Sequence, residues 1–414
     1  MSLNKLLFIT IYISILFIFL RDFIIVVEYF LLYDTIPFYK IDVISTGIII
    51  YLKDIAIIVS NLILTIFLFK KNKKIIQILL FFILFLFFNI ALSINNLSLL
   101  QIASDIRILN SIYFITMLFS LIKYYIKKNH IFPIEKILKL YLLLSLIDAI
   151  VSLIEFYIIG MSLGSRIMGL FSVAALNAYV LFYAQVILSI LFLYKKVSKI
   201  KFIILSNIYF IAILTTGTRV VIFGYIILLS WVLFQLLIKN KSVHTNLKKI
   251  FMLLLPIAML LISIFAINTA NNTAQRGDVL NQSDRGRISK LINITNTLEE
   301  RNRIFFGEGV GWGSNVVSSL LDNVPSNYKS VDGSIQFILI HNGIIGLLLI
   351  IFISMFMILK TQQHNKYNVI TLLLPIILIA LSVNVLEQTI VLIAFGLSMS
   401  FTYQQEYIKR NFKK

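Results

Sequence analysis

Apolar residues run in long blocks through most of this chain, divided by short lysine-bearing gaps and by one extended polar interval late in the sequence. A membrane-crossing helix needs about 20 mostly apolar residues. Blocks of that kind lie near 6–25, 53–69, 75–94, 108–126, 137–159, 173–194, 202–216, 218–238, 250–268, 335–359, 369–384 and 387–403, which predicts about 12 spans. The blocks near 202–216 and 369–384 are short enough to be half-spanning. Thr216-Gly217 leaves room only for a tight turn between the two helices it joins. The first block, Leu6 to Leu20, continues through Phe23-Ile24-Ile25 with no small-residue cleavage site, the pattern of a retained span and not of a cleaved signal. Three regions follow: 1–268 with nine spans, 269–334 as a large polar loop, and 335–414 with three spans and a basic tail.

The gaps orient the spans. Positive loops resist translocation, so lysine-rich gaps belong on the cytoplasmic side. With the N-terminus inside and the spans alternating, the inner loops hold Lys70-Lys71, Lys73-Lys74, Lys123, Lys127, Lys128, Lys136, Lys139, Lys195, Lys196, Lys199, Lys201, Lys239, Lys241, Lys248, Lys249, Lys360 and Lys366. The tail with Lys409, Arg410, Lys413 and Lys414 is then inside as well. The other side keeps only Lys40, Lys53, Lys290 and Lys329. The expectation is an all-α polytopic membrane protein with both termini cytoplasmic and one large extracytoplasmic loop.

Composition agrees with that pattern. The chain has 414 residues, 59% hydrophobic and 13% charged. Soluble domains sit near 45–50% apolar and about 25% charged, so that class is excluded. A net charge of +19 would suggest nucleic acid in a soluble protein; here lysines on inner loops account for it. There is no cysteine, hence no disulfide across the exported loop, no thiolate nucleophile and no Cys-ligated metal.

Arginine departs from the lysine rule. Arg107, Arg166, Arg219, Arg276, Arg285, Arg287, Arg301 and Arg303 fall outside, Arg21 lies near an outer helix end, and only Arg410 is clearly inside. Arginine at helix ends can snorkel or pair with carboxylates. Its accumulation on the disfavoured side also suits an anionic ligand, because guanidinium stays charged and binds phosphate bidentately.

The polar interval carries most of that charge: Arg276, Asp278, Asp284, Arg285, Arg287, Glu299, Glu300, Arg301, Arg303, Glu308, Asp322 and Asp332. Ile288, Leu291, Ile292 and Thr295 recur at helical spacing, while Gly307, Gly309, Gly311 and Gly313 mark a tight turn. One or two short helices covering a cavity are expected there. Arg301 and Arg303 can pair with Glu299 and Glu300. Within the fifth span, Asp148 and Glu155 are seven residues apart and share a face. Two readings stand for them: acids facing a polar cavity with Arg166 or Arg107, or a protonated packing residue. Asn384 and Glu387 pose the same question more weakly. His341 is the only histidine outside the cytoplasmic loops, since His130, His244 and His364 fall inside. An intramembrane histidine marks function or bonds a neighbouring backbone.

The order of short motifs resembles a known family. A span ends in Thr-Gly-Thr-Arg (216–219); the long outer loop then brings Gly286-Arg287 and Phe306-Gly307-Glu308-Gly309-Val310-Gly311. Asp332 follows, shortly before an apolar run containing Gly343-Ile344-Ile345-Gly346. Arg166-Ile167-Met168-Gly169 before a span and Leu52-Lys53-Asp54 opening another fit the same pattern. In these features the chain resembles the bacterial Wzy-type O-antigen and capsular polysaccharide polymerases and the related O-antigen ligases. The likeness covers nearly the whole chain as topology and about 215–350 as motif.

That resemblance implies a GT-C-like, metal-independent membrane glycosyltransferase without cofactor in the bacterial plasma membrane, its site facing outward. Such an enzyme moves a growing glycan from undecaprenyl diphosphate onto another lipid-linked repeat unit, amid membrane lipids and beside a chain-length regulator and a flippase. The departing diphosphate calls for fixed positive groups, for which Arg219, Arg287, Arg285 and Arg166 are candidates. The acceptor hydroxyl calls for a base: Asp332 matches the family's acidic position, Glu308 sits in the glycine-rich turn, and His341 lies in the next span. The ligases' histidine stands before this span. His341-Asn342 is about nine residues further in, with Asp332 at the earlier position, a departure from the ligase pattern.

Absences narrow the field. The outer face lacks Asp-x-Asp, which disfavours a manganese-dependent sugar-nucleotide transferase. One outer histidine without cysteine makes zinc a poor fit, and no Gly-x-x-x-x-Gly-Lys-Ser/Thr pattern appears. The alternatives are an O-antigen ligase and a lipid-linked oligosaccharide flippase. A transporter of that kind would need charge along its pathway and often two similar halves, whereas this chain has no internal repeat and its charge gathers in one loop.

Overall fold

A computed structural model of the chain describes residues 3–33, 48–71, 74–92, 99–159, 167, 169–171, 174–239, 286–309, 312, 328, 333–349 and 389–411. Its helices are α1 (Leu3–Tyr33), α2 (Ile48–Phe69), α3 (Lys74–Leu92), α4 (Leu99–Lys127), α5 (Ile134–Ile159), α6 (Ala174–Leu193), α7 (Lys199–Thr215) and α8 (Arg219–Lys239). After these come α9 (Gly286–Glu300), α10 (Ser334–Leu349) and α11 (Thr389–Asn411). The expected spans near 250–268 and 369–384 lie outside the described residues.

Among the described residues, four helical stretches are long and apolar enough to cross a membrane: Ile75–Leu92, Ile106–Lys127, Ile134–Ile158 and Ala175–Leu193. Shorter apolar stretches occupy Lys5–Leu20, Val220–Leu236 and Ser334–Leu349. α1, at 31 residues, outlasts its apolar block and reaches roughly 46 Å at 1.5 Å per residue. Turn chemistry separates α7 from its neighbours. Ser198 caps its start by accepting from the Lys201 N–H, and Gly217 at φ 63° closes the tight turn into α8.

α6 is the centre of the bundle, with 83% of its apolar window buried against α5, α7, α8 and α11. α3 is its opposite: mean hydropathy 2.8, yet only 11% buried. Its outward leucines and phenylalanines, among them Leu80, Phe81, Leu84 and Phe87, would cost heavily in water and are at ease in lipid. Burying apolar area drives little helix association inside a bilayer, so polar pairs and close packing carry more of it. Ser14 and Ser60 join α1 to α2 at 2.6 Å, Asn61 donates to Asn110 across α2 and α4, and Thr65 meets Tyr113 at 2.8 Å. Gln185 on α6 donates to Ser206 on α7 at 3.0 Å and accepts from Tyr225 on α8 at 3.1 Å. Along α4 and α11, Gly396 lets Ile115 lie where a Cβ would sit.

These bonds also fix which helix ends share a side. Tyr194 near the end of α6 donates to Glu406 near the end of α11 at 2.6 Å, and Ser111 early in α4 reaches Thr389 at the start of α11. The starts of α2, α4, α6, α8 and α11 therefore lie at one end of the bundle, with the ends of α3, α5 and α7. Lys70, Lys71, Lys127, Lys128, Lys195, Lys196, Lys199 and Lys201 gather at the other. These eight lysines, which the sequence reading placed on one side, lie at one end of the described bundle.

Candidate functional site

Two loop pieces are drawn into the bundle at the lysine-poor end. The first is the turn at 169–171. Glu155 Oε2 accepts from the Gly169 N–H at 2.8 Å and Asp148 Oδ1 accepts from the Leu170 N–H at 2.9 Å. Both acids are buried, and a carboxylate that accepts backbone N–H bonds is compensated for its burial. Ser152, one turn from each, accepts from Asn177 at the start of α6. The two acids of the fifth span thus hold a turn in place, a use that neither sequence reading named. Arg107 pairs with Asp54 on α2 at 3.5 Å. Ile167, just after Arg166, donates to the Thr215 carbonyl at 3.4 Å, so this turn abuts the one that leads into Arg219.

The second piece is 303–309. α9 forms as its spacing predicts, but the inward face is Ile294 and Leu298 with Leu291 beside them; Ile292 is exposed. The apolar cluster there joins Ile294 and Leu298 to Ile108 of α4, Trp312, Tyr328 and the first turns of α10. Beyond α9 the chain turns back and clasps α10 by four backbone bonds. Glu308 N–H donates to the Ile340 carbonyl at 2.7 Å and Gly309 N–H to the His341 carbonyl at 3.1 Å. In return Ile344 and Ile345 donate to the carbonyls of Ile304 and Phe305 at 3.0 and 3.1 Å.

The exchange is reciprocal, each bond on one segment having a counterpart 36 positions along on the other. The two glycines obey the same offset: Gly307 at φ 73° and Gly343 at φ 63°. A Cβ on Gly307 would lie 2.6 Å from the His341 carbonyl group, and one on Gly343 would collide with that of Phe305. Only glycine takes this backbone without penalty while letting another main chain so close. A regular α-helix cannot pass through a positive φ, so α10 is interrupted at Gly343 and the loop satisfies the groups exposed there.

Side chains lock the clasp. Glu308, buried, accepts on Oε1 from Arg301 at 3.0 Å and from the Tyr328 hydroxyl at 3.1 Å. Arg301 also stacks 5.6 Å from the centre of the Trp312 ring, which meets Tyr328 edge-on. Arg301 therefore pairs with Glu308 rather than with Glu299 or Glu300, because adjacent helical residues do not face each other. Burial, with the Glu308 charge beside it, pushes the Tyr328 phenol well above its usual range and keeps it a donor.

His341 is buried beside Phe337, and its Nδ1 lies 3.0 Å from Asn342 Oδ1. An amide oxygen only accepts, so this contact is a hydrogen bond when Nδ1 carries a proton. Asn342 in turn donates to Asn89 of α3 at 2.9 Å. Of the sequence-predicted residues, the clasp brings Glu308 and His341 into adjoining backbone. Arg219 opens α8 and Arg287 lies in the first turn of α9; their side chains lie outside what is described. Arg166, Arg285 and Asp332 lie outside the described residues. Sequence reasoning missed Tyr328, Trp312 and Asn89, and named Asn342 only as the neighbour of His341. Only the Asn-Gly pair at 342–343 inside an apolar run could have signalled Asn342.

The fold defines a helical membrane protein with a polar loop clasped onto one end of its bundle. No family model matches the sequence, no curated protein is significantly similar to it, and no solved structure matches it.

Proposed function

We propose that the protein is a polysaccharide polymerase of the Wzy type, with about 12 spans, both termini cytoplasmic and its site at the outer face of the bacterial plasma membrane. The reading takes the donor to be a glycan on undecaprenyl diphosphate and the acceptor to be another lipid-linked repeat unit. The acceptor hydroxyl oxygen bonds to the anomeric carbon as the bond from that carbon to the diphosphate oxygen breaks. The electron pair leaves with the lipid diphosphate, and the hydroxyl proton passes to a base.

In this scheme Arg219, Arg287, Arg285 and Arg166 hold the diphosphate. The loss of one such charge-stabilising donor typically costs about 3–4 kcal/mol in the transition state. His341 and Asp332 are the base candidates this proposal retains. Glu308 is assigned to holding the loop, since Arg301 and Tyr328 already occupy one of its oxygens. The observation that carries the reading is that the motif-bearing loop is clasped beside His341 at the same end as the turn leading into Arg219.

The test replaces Arg219 and Arg287 separately by lysine and by alanine in the producing cell and follows surface glycan length. Loss of polymer in both replacements, with the protein still in the membrane and single repeat units still displayed, is the expected result. Full-length polymer in the alanine variants would remove these arginines from the mechanism, and a wholly unattached glycan would point to ligation instead.

A further inference from the structure

At the opposite, lysine-rich end, two cavities meet between α1 and the start of α5. One, of 340 Å³, is lined by Lys5, Phe8, Tyr125, His130, Phe132 and Lys136 among others. The next, of 460 Å³, shares Phe8 and Lys136 and continues past Tyr12 and Lys139 to Leu140 and Leu143. Together they make one groove, cationic at its mouth and apolar along its length, running about two turns up α5 toward the middle of the bundle. Among the described lining residues there is no carboxylate. Glu135, the nearest acid on α5, is engaged by Lys139 at 2.7 Å and Lys196 at 3.3 Å. Ile131 and Leu143, 60% and 55% exposed, flank the groove and open it sideways toward lipid.

We infer that this groove binds an anionic phospholipid of the leaflet at the lysine-rich end, its phosphate between Lys5, Lys136 and His130 and an acyl chain along Tyr12, Leu140 and Leu143. A phosphate suits a mouth with cations and no acid, and an acyl chain suits a floor of aromatic and aliphatic side chains that continues into the bilayer region. A soluble anion would use only the mouth. The site is independent of the function proposed above, because it lies at the other end of the bundle from the clasp.

The experiment uses the full chain, purified in detergent, stripped of lipid and titrated with dioleoyl phosphatidylglycerol or dioleoyl phosphatidylcholine, with bound lipid counted by native mass spectrometry. Phosphatidylglycerol is expected to bind tightly and phosphatidylcholine weakly. Replacing Lys5 and Lys136 by glutamine should weaken phosphatidylglycerol about fivefold per lysine, from roughly 1 kcal/mol for each cation near an anionic lipid. Lys136→Arg should retain binding, and Lys70→Gln with Lys71→Gln, elsewhere at the same end, should leave it unchanged. Equal loss in that control pair, or no loss in the Lys5 and Lys136 variant, would overturn the site. Displacement of phosphatidylglycerol by millimolar glycerol 3-phosphate would show that the mouth alone is read, and would overturn the lipid assignment.

Discussion

The turn at 169–171 and the segment at 303–309 are both loop pieces fastened to the same end of the bundle, but by opposite means. The first is held by side chains: two buried acids on α5 reach up to backbone N–H groups. The second is held by backbone: two glycines bring main chains close enough to exchange four hydrogen bonds, and side chains only reinforce the result. A side-chain tether tolerates many residues in the turn it holds but few at the acids. A backbone tether inverts this, tolerating most side chains along both segments but nothing larger than hydrogen at two positions.

That contrast can be broken most forcefully at the glycines. Gly307→Val and Gly343→Val are each expected to cost roughly 3 kcal/mol or more, from left-handed strain plus overlap with a carbonyl group. Limited proteolysis in detergent should then cut the 286–309 region rapidly while the rest of the bundle persists. Unchanged protection would mean the clasp is not formed. Next in size, Glu155→Ala and Asp148→Ala each leave a buried N–H without its acceptor, a loss of about 1–3 kcal/mol read as a lowered melting temperature. In the same assay Phe306→Leu, which loses only the edge-on contact of a half-exposed ring with Phe88, should stay near wild type.

Two smaller effects sharpen the account of the reinforcement. Arg301→Ala should destabilise by about 1–2 kcal/mol, since Glu308 loses a cation that is itself partly exposed and screened. Tyr328→Phe removes one hydrogen bond, about 1 kcal/mol, and its cost should depend on pH. A phenol pushed up by burial stabilises fully below the usual tyrosine range near 10, and that contribution disappears as pH rises beyond it. The melting-temperature gap between wild type and Tyr328→Phe should therefore hold steady through neutral pH and narrow above about pH 10. A gap that widened there would contradict a protonated, buried Tyr328.

Among the described residues the helices were legible in the apolar blocks, but their bounds were less so: the block 108–126 meets a helix that starts at Leu99, and 53–69 one that starts at Ile48. The prediction for α5, 137–159, meets a helix at Ile134–Ile159, and the tight turn at Thr216-Gly217 is where it was placed. α1 ran past the block 6–25 because the residues that follow, Val26 to Tyr33, are themselves apolar apart from Glu28. Glu308 stood out through its glycine neighbours, but its partners did not, since Arg301 is seven positions away and Tyr328 twenty. The break in α10 was hidden because hydropathy is blind to φ: Ile-His-Asn-Gly-Ile-Ile reads as continuous helix until a second segment is seen lying across it. Asp148 and Glu155 were visible as costly groups, while what repaid them, N–H groups 22 and 14 residues away, is a tertiary fact.

The interrupted α10 carries a lesson for anyone exchanging parts between such proteins. Half of the hydrogen bonding at its break is supplied from 304–309, so neither piece is a self-sufficient module. A chimera grafting a foreign outer segment that stops short of residue 339 would present mismatched main chain to an open helix. One that transplants 303–309 together with 339–345 would move a closed unit and keep both partners of every bond.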